Sequence, residues 1–452
     1  MDRVLLAGEP GEPCLWFGRP LDRGALRALV DEQQELLCAA GLAAGGTAAL
    51  CLPPSPGYVA VLLAAWRIGA QVSLLDHRLT ETEVRRALER LAPQVLVEAQ
   101  KSSGAALRGY AEVEPVAVAQ REGRPAETPH VLIQLSSGST GPSKVIARTA
   151  ADLAWELERY DRLEGFPRRG ERIVLLASMV HVLGLVGGLL HGLHAGVELV
   201  LPERLTAAGI LEAVSWGERP TTVIGVPFYA ELLAGVAQPP ALAQFARMIV
   251  AGELVRPHVP PAFTARYGVP LGTMYGMTEL GVIATDLSGA LHPAVEPTAG
   301  LRLEIRSGEL HIRMPESPYI GLTDPARWSD GWLHTRDAAA AGEDGRVVIL
   351  GRLDSQVSIG GLKVDLTEVE QTLSGLDGVT EAVVVFDDGA VVAYAALGEG
   401  VAAEEVRERL AGELAAYKLP RRLLVLPKLP RTATGKLLRD TAGLRRAAHA
   451  EE

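Results

Sequence analysis

Cysteine is scarce in this 452-residue sequence, and basic side chains are outnumbered by acidic ones. The cysteines Cys14, Cys38 and Cys51 are odd in number and none stands at a metal-ligand spacing, which argues against a disulfide framework or a zinc site. With 44 Lys and Arg against 55 Asp and Glu, the net charge of −11 argues against nucleic-acid binding. The N-terminus turns acidic and proline-rich too early for a signal peptide. We therefore expect a reduced, soluble, cytoplasmic protein without nucleic-acid partners.

Charge is also missing from one long segment. No Asp, Glu, Lys or Arg occurs between Ile173 and Val197, a stretch long enough to span a bilayer. The same segment contains His181, His191 and His194 as well as five glycines, and histidines that face lipid are costly. A buried helix between sheets is therefore the favoured interpretation, and no membrane partner is expected.

Helix and strand patterns alternate over the first 100 residues. Strand patterns at Ala49–Pro53, Gln71–Leu75 and Gln94–Glu98 are separated by amphipathic runs typical of helices. This alternation predicts a layered α/β domain with a largely parallel sheet. After residue 353 the chain has its own helix and strand patterns, which suffice for a separate α+β unit. The predicted domains are a large multilayer α/β domain over residues 1–353 and a small mobile α+β domain over residues 354–452.

A loop rich in serine and glycine directly follows the strand predicted at Val131–Leu135, where residues 136–144 read SSGSTGPSK. Small residues let backbone N–H groups approach a polyphosphate, while hydroxyl groups and a lysine add donors and positive charge. The spacing matches neither the Walker A loop nor the Rossmann fingerprint. A flexible linker is the alternative, but linkers rarely start directly after a buried strand. The candidate phosphate-binding residues are Ser136, Ser137, Gly138, Ser139, Thr140, Gly141 and Lys144.

The strand and its loop resemble the phosphate loop of the AMP-forming adenylate synthetase superfamily. That superfamily contains acyl- and aryl-CoA synthetases, nonribosomal peptide adenylation domains and beetle luciferases. Five further motifs similar to those of the superfamily follow in order, and chance is a poor explanation for such an ordered set. They are AGEL at residues 251–254, MYGMTE at 274–279, GWLHTRD at 331–337, GRLD at 351–354 and PRTATGK at 430–436.

The resemblance implies an ATP site in the large domain. Tyr275 would stack on adenine, and Gly276 beside it indicates a turn where a ligand nears the backbone. Glu279 would bind Mg²⁺ as a hard oxygen ligand, and Thr278 would lie near the α-phosphate. The alternatives are a core aromatic for Tyr275 and a glutamate at a helix start for Glu279. The adenine-flanking turn would contain Gly252 and Glu253.

Three further charged residues would complete nucleotide binding and catalysis. By resemblance, Asp337 would accept both ribose hydroxyls, and Arg352 would reach the same sugar or the phosphate. The alternative for both is a surface ion. Lys436 would enter the site from the small domain, contact the carboxylate and the α-phosphate, and stabilise the transition state by its charge. An isolated lysine is usually solvated, but Lys436 stands in the family's C-terminal lysine loop.

The second half-reaction would reuse this site after the small domain rotates about Asp354. By resemblance, a glycine-lined tunnel then admits a pantetheine thiol, with Gly361 on its wall and Lys363 near it. A side chain would block the tunnel, although a turn alone can also require glycine. Three positions depart from the family pattern: Arg336 replaces the glycine of T-G-D, Ser358 replaces a common lysine, and Lys363 a common arginine. The acceptor is therefore open.

Residues 173–197 indicate which class of carboxylic acid is the substrate. Acyl- and aryl-activating relatives often carry an aromatic-His-x-x-Gly pattern here, and His181 with Gly184 keeps part of it. His181 is thus either a gate of the acid pocket or a core histidine. Amino-acid-activating relatives place an aspartate here to pair with the substrate ammonium, and this segment has no acidic residue. Glu198 and Glu203 lie just beyond and are the nearest possible partners.

The sequence therefore predicts an ATP- and Mg²⁺-dependent, AMP-forming ligase for an aryl or short acyl acid, not an α-amino acid. The acyl-adenylate would pass to the thiol of CoA or of the phosphopantetheine on an acyl carrier protein. One alternative is an amide synthetase that transfers the acyl group to an amine. Another is an inactive nucleotide-binding or carrier-docking module.

Overall fold

The structure is a computed structural model that describes residues 2–99, 108–136, 144–353, 355–430 and 437–449. Residue contacts divide the chain into two compact units. The first unit contains residues 1–77, 91–135 and 145–351, and the second contains residues 78–90, 136–144 and 352–452. The change of unit between Gly351 and Arg352 falls within the GRLD motif.

Helices are distributed along both units. Several begin with side-chain caps; at the start of α4, for example, Thr80 and Glu83 exchange backbone and side-chain hydrogen bonds of 2.9 and 3.2 Å. The helices of the described residues are α1 (Asp2–Leu5), α2 (Arg23–Ala39), α3 (Pro56–Ile68), α4 (Glu81–Leu91), α5 (Ala150–Arg162), α6 (His191–Ala195), α7 (Ala207–Ser215), α8 (Pro227–Ala234), α9 (Val259–Tyr267), α10 (Leu366–Ser374), α11 (Ala403–Glu413) and α12 (Thr441–His449). A π-helix occupies Leu183–Leu190, and short 3₁₀ turns occupy Glu343–Gly345 and Ala416–Lys418.

Strands are more numerous than helices in the described chain. Those up to residue 175 are β1 (Pro13–Phe17), β2 (Pro20–Asp22), β3 (Thr47–Cys51), β4 (Gln71–Leu74), β5 (Val95–Ala99), β6 (Pro115–Ala119), β7 (Leu132–Ser136), β8 (Lys144–Arg148) and β9 (Arg172–Leu175). Those that follow in the first unit are β10 (Glu198–Leu201), β11 (Thr221–Gly225), β12 (Phe245–Ala251), β13 (Leu271–Met277), β14 (Gly281–Asp286), β15 (Ala294–Pro297), β16 (Leu303–Arg306), β17 (Glu309–Arg313), β18 (Tyr319–Ile320), β19 (Trp328–Ser329), β20 (Trp332–Ala341) and β21 (Val347–Arg352, whose last residue belongs to the second unit). The rest are β22 (Gln356–Ile359), β23 (Leu362–Asp365), β24 (Val379–Asp387), β25 (Ala390–Leu397) and β26 (Arg422–Val425).

Two large sheets organise the first unit. One has the strand order β16-β17-β20-β21-β15-β14-β13-β12-β11-β9-β10-β1-β2, and its strands from β13 to β1 run parallel. The other has the order β18-β8-β7-β4-β3-β5-β6, with parallel pairing from β7 to β5. Helices α3, α5 and the π-helix pack against these sheets through buried aliphatic side chains. The predicted α/β architecture with parallel sheets is therefore confirmed.

The uncharged segment 173–197 is not a single helix. It starts as the end of β9, continues through a loop into the π-helix, and ends in α6. His191 is buried, its Nε2 lies 2.8 Å from the carbonyl oxygen of Pro167, and burial lowers its pKa to about 4. Over the part of the chain that is described, no helix is long and apolar enough to cross a bilayer. The segment is buried as predicted, but divided among three elements.

The second unit has the predicted α+β character. β24, β25 and β26 form a sheet covered by α10 and α11, and β22 and β23 form a separate hairpin. The ammonium of Lys418 is buried in this unit, 2.8 Å from Glu83 and 2.9 Å from Glu368. These two carboxylates raise the pKa of Lys418 against the opposing effect of burial. The lysine therefore stays charged in the fold.

Candidate active site

The predicted site residues of the first unit gather at one edge of the larger sheet. Strands β9, β11, β12 and β13 run parallel, so their carboxyl ends meet at the same edge. His181 follows β9, Gly252 follows β12, and Thr278 with Glu279 follows β13. In parallel sheets this edge is where ligands bind. The topology thus brings together residues that are far apart in the sequence.

Tyr275 and Asp337 are in direct contact. The Tyr275 hydroxyl donates to Asp337 Oδ2 at 2.6 Å, while the carboxylate is 5% exposed. The Asp337 backbone N–H donates to Thr335 Oγ1 at 3.1 Å, and the Thr335 hydroxyl donates to the Leu310 carbonyl at 2.8 Å. A core tyrosine would not need an acidic partner. The residues that the resemblance places at adenine and ribose therefore form one fixed pair.

Glu279 has the surroundings of a cation ligand. Its carboxylate is 8% exposed and accepts a hydrogen bond of 2.9 Å from the hydroxyl of Tyr319. Among the described residues it has no other hydrogen-bond or ion-pair partner. A buried carboxylate with one neutral donor retains acceptor sites, which fits a hard divalent cation such as Mg²⁺. Glu279 lies in the turn between β13 and β14, not at a helix start.

Gly276 has a different explanation from the one that the sequence suggests. It lies within β13, at an irregularity in the pairing with β14. A Cβ atom at this position would lie 2.5 Å from the carbonyl oxygen of Gly281. The close approach of the partner strand is therefore sufficient to require glycine here. Gly252 does lie in a turn, with a φ of +94° that favours glycine.

The loop that carries His181 is held by two side chains that sequence analysis missed. The Tyr58 hydroxyl donates to the Met179 carbonyl at 2.8 Å, and Gln134 Nε2 donates to the Val180 carbonyl at 2.5 Å. His181 itself is half-buried, unlike the fully buried His191. It is therefore not simply a core histidine. Gln134 lies on β7, two residues before the predicted phosphate loop begins.

The possible acidic partners of an amino-acid substrate are engaged or exposed. Glu198 Oε2 lies 3.2 Å from Nε of the buried Arg172 and 3.5 Å from Nη1 of the exposed Arg219. Glu203 is exposed. Freeing Glu198 to meet an ammonium group would leave the buried Arg172 without its partner, at considerable cost. This arrangement supports the prediction of an uncharged acid body.

Several predicted residues lie outside the described residues or belong to the second unit. Ser137, Gly138, Ser139, Thr140, Gly141, Asp354 and Lys436 are outside the described residues. Ser136 ends β7, and Lys144 begins β8 with a buried side chain.

In the second unit, Arg352 Nη2 lies 3.5 Å from Gln356 Oε1. Gly361 has a φ of +81° and forms the two-residue turn between β22 and β23 together with Gly360, whose φ is +56°. Lys363 pairs with Ser358 across this hairpin.

Arg336, which replaces a family glycine, is accommodated by a neighbouring carboxylate. Its φ is +60°, and its backbone N–H donates to Glu309 Oε1 at 2.8 Å, where the pairing of β17 and β20 shifts register. Glu309, His311 and His334 lie close enough to ligate a metal ion together. However, the Arg336 guanidinium is 3.7 Å from the same carboxylate and opposes a cation there. Glu309 therefore stabilises the backbone that carries Asp337.

Comparisons with known proteins bear on the family of the chain. A family model described as AMP-binding enzyme matches residues 6–313, and one described as AMP-binding enzyme C-terminal domain matches residues 368–436. The chain is 28% identical to the indoleacetate–CoA ligase of Aromatoleum aromaticum, over 96% of this chain and 94% of that protein. It is 30% identical to the benzoate–CoA ligase of Thauera aromatica, over 69% of this chain and 65% of that protein.

A solved structure shows the same fold. The amide bond synthetase McbA from Marinactinospora thermotolerans superimposes with a TM-score of 0.82 at 23% identity, covering 99% of both chains. The predicted fold class and the predicted type of enzyme, an AMP-forming acid ligase, are confirmed by the family matches and relatives together. Because the first family model alone spans more than half of the sequence, the chain belongs to the AMP-binding enzyme family.

Proposed function

We propose that this enzyme activates an aryl or short acyl carboxylic acid with ATP and transfers the acyl group to the thiol of CoA or of a carrier protein. The observation that carries the proposal is the contact between Tyr275 and Asp337 beside the turn that presents the buried Glu279. Together these residues offer an aromatic face, a ribose acceptor and a cation ligand.

The chemistry explains why these groups are needed. A carboxylate oxygen attacks the α-phosphorus of ATP, the bond from that phosphorus to the bridging oxygen breaks, and pyrophosphate leaves. Two anions must be held together, so positive charge at the phosphates governs the rate. Mg²⁺ held by Glu279 would supply part of that charge. Asp337 and Tyr275 would fix the nucleoside, and Thr278 would donate towards the α-phosphate.

The preference for an aryl or short acyl acid follows from the neighbourhood of His181. Residues 173–197 contain no carboxylate, and Glu198 beyond them is engaged by two arginines. A buried ammonium without a partner costs several kcal/mol, which is roughly a thousandfold in specificity. The indoleacetate– and benzoate–CoA ligases similar to this chain carry aromatic acids in their names.

The acceptor is assigned by resemblance. Asp354 would be the hinge about which the second unit turns, and Lys436 would act only while phosphorus carries extra charge. Gly361 and Lys363 would then line the route of a pantetheine thiol. Transfer to an amine, giving an amide, is the competing proposal, and a likeness in fold to an amide bond synthetase does not decide between them.

Pyrophosphate release measured against a panel of acids tests the first half-reaction. Benzoate-type acids paired with phenylalanine, and hexanoate-type acids paired with leucine, isolate the effect of the ammonium group. We expect release with the simple acids and almost none with the amino acids. Preference for the amino acids would show that the assigned substrate class is wrong, and no release with any acid would support the inactive module.

Mass analysis of the product with CoA or an added amine identifies the acceptor. A thioester supports the proposal, and an amide formed in preference to it supports the alternative. The variant Lys436→Ala should lose most adenylation while it still transfers a supplied acyl-adenylate. Equal loss of both half-reactions would reject the role given to Lys436.

A further inference from the structure

The turn that carries Thr278 and Glu279 is held by a helix far away in the sequence. Arg159 on α5 donates from Nη1 to the Val282 carbonyl and from Nη2 to the Leu280 carbonyl, each at 2.8 Å. Its side chain is 1% exposed and its guanidinium stacks 4.3 Å from the Trp155 ring. Two carbonyls, one and three residues after Glu279, are therefore fixed by one planar group with a rigid geometry.

Glu156, one turn earlier on α5, also binds this backbone. Its Oε1 accepts from the Val282 N–H at 3.1 Å, and its Oε2 accepts from Arg148 Nη1 at 2.5 Å. A Cβ atom at Gly281 would lie 2.0 Å from the carboxyl carbon of Glu156, so the carboxylate packs directly on the backbone. Each polar atom of the turn that α5 reaches thus has a buried, charged partner.

The side chain of Glu279 is held separately. The Tyr319 hydroxyl donates to Glu279 Oε1, and Tyr319 lies on β18 opposite Ile146 of β8. Two residues after Ile146, Arg148 ends β8 and contacts Glu156. The side chain of Glu279 and the backbone at Leu280 and Val282 are therefore both tethered to the continuous segment formed by β8 and α5.

We propose that Tyr319, Glu156 and Arg159 are positioning residues that fix the Glu279 carboxylate for the cation that accompanies ATP. The inference rests on the proposed function in one respect, namely that Glu279 binds Mg²⁺. Buried charged groups that only filled space would be replaceable by apolar side chains. Here their hydrogen bonds converge on Glu279, Leu280 and Val282, at the predicted ligand.

Tyr319 gives the sharpest test, because Tyr319→Phe removes one oxygen and keeps the ring. Without that donor the carboxylate is free to adopt other rotamers, and loss of such an outer partner typically weakens metal binding by 10–100-fold. Isothermal calorimetry of ATP binding with Mg²⁺ and with EDTA measures the contribution of the cation directly. We expect Tyr319→Phe to bind Mg²⁺–ATP about 10-fold more weakly, with ATP in EDTA bound as by the wild type.

Tyr267→Phe is the matched control. The Tyr267 hydroxyl donates to the Leu233 carbonyl at 2.9 Å in the same unit, on α9. Its loss should leave both ATP affinities unchanged. If Tyr319→Phe weakens the binding of ATP equally with Mg²⁺ and with EDTA, or weakens neither, the positioning role of Tyr319 is overturned.

Arg159 is tested by a graded pair. Arg159→Lys keeps a charge and part of the donor set, whereas Arg159→Met keeps neither. Arg172→Met removes a similarly buried arginine, 2% exposed, from the β9 and β10 region as a control for general destabilisation. We expect a loss of ATP affinity that occurs only with Mg²⁺ and is larger in Arg159→Met than in Arg159→Lys. A loss of the same size in Arg172→Met, or one independent of Mg²⁺, assigns Arg159 to folding alone and overturns its role.

Failure of this inference is distinguishable from failure of the proposed function. Acid-dependent pyrophosphate release by the wild-type preparation tests the proposed function. If release occurs and Tyr319→Phe keeps the wild-type response to Mg²⁺, only the positioning inference is wrong. If the wild type neither releases pyrophosphate nor binds ATP more tightly with Mg²⁺, both are wrong.

Discussion

Two hairpins with predicted functional residues are built in opposite ways. The turn between β13 and β14 is fixed by Glu156 and Arg159, which lie 121 to 126 residues away in the sequence. The turn between β22 and β23 is fixed by its own Gly360 and Gly361, whose positive φ angles close a two-residue loop. The first hairpin depends on tertiary contacts and the second on local backbone preference. Substitutions should therefore act on them through different physical effects.

The largest loss of activity is expected from a substitution of Glu279, the proposed cation ligand in the first hairpin. Glu279→Gln keeps the shape of the side chain and removes the charge that would bind Mg²⁺. Because electrostatic stabilisation of this kind is worth about 100-fold or more, kcat/KM for pyrophosphate release should fall by at least that factor.

The matched control is Glu296→Gln on the neighbouring strand β15, where the side chain is exposed. Its kcat/KM for pyrophosphate release should remain within about twofold of the wild-type value. An unchanged Mg²⁺ dependence in Glu279→Gln would remove the basis of the comparison.

The next largest effect concerns the backbone of the first hairpin. In Gly281→Ala the new Cβ would meet the Glu156 carboxylate, and the φ of +87° is also unfavourable for alanine. We expect a loss of about 3 kcal/mol in the free energy of unfolding, measured with urea. Gly308→Ala shares the positive φ, +81°, but meets no atom within 4 Å, so about 1 kcal/mol is expected. Equal costs would mean that α5 does not constrain this turn.

The second hairpin separates a turn requirement from a tunnel requirement. Gly360→Leu and Gly361→Leu both place a side chain at a positive φ, so both should lose about 1 kcal/mol of stability. If Gly361 lines the thiol route, its variant alone should spare pyrophosphate exchange and reduce thioester formation by more than about tenfold. Identical behaviour of the two variants would show that glycine is needed for the turn only.

The smallest expected effect is a dependence of folding stability on pH. His191 is buried in the first unit, and burial lowers its pKa from 6.5 to about 4. Between these two pH values the unfolded chain binds a proton that the folded chain does not, so stability falls as the pH falls below about 6.5. We expect His191 to lower the free energy of unfolding by about 1 kcal/mol at pH 5.5 and to have no such effect above pH 7.

Denaturation at several pH values measures this slope. His191→Gln should flatten it, whereas the exposed His258→Gln should not. A slope that persists in His191→Gln would place the acid-sensitive group elsewhere.

The order of the motifs allowed the family and the α/β fold to be predicted and gave the candidate site residues, because each motif is local. The sequence placed Tyr275 and Asp337 in the same site but did not predict the hydrogen bond between them. The residues that hold the site were missed: Tyr58 and Gln134 for the His181 loop, and Tyr319 for Glu279. Nothing in their immediate sequence distinguishes them, since each acts on a backbone or carboxylate distant in the chain.

Local sequence by itself led to the residues proposed for nucleotide and cation binding, and it determined the glycine turn between β22 and β23. The tertiary structure alone decided that Gly276 serves the approach of Gly281, and that the uncharged segment 173–197 is divided among a strand, a π-helix and α6. It also decided that the buried charges of Glu156 and Arg159 meet the Glu279 turn. The physical reason is that hydrogen bonds to buried backbone groups can be satisfied by any segment that the fold brings near, and a linear pattern does not record which one.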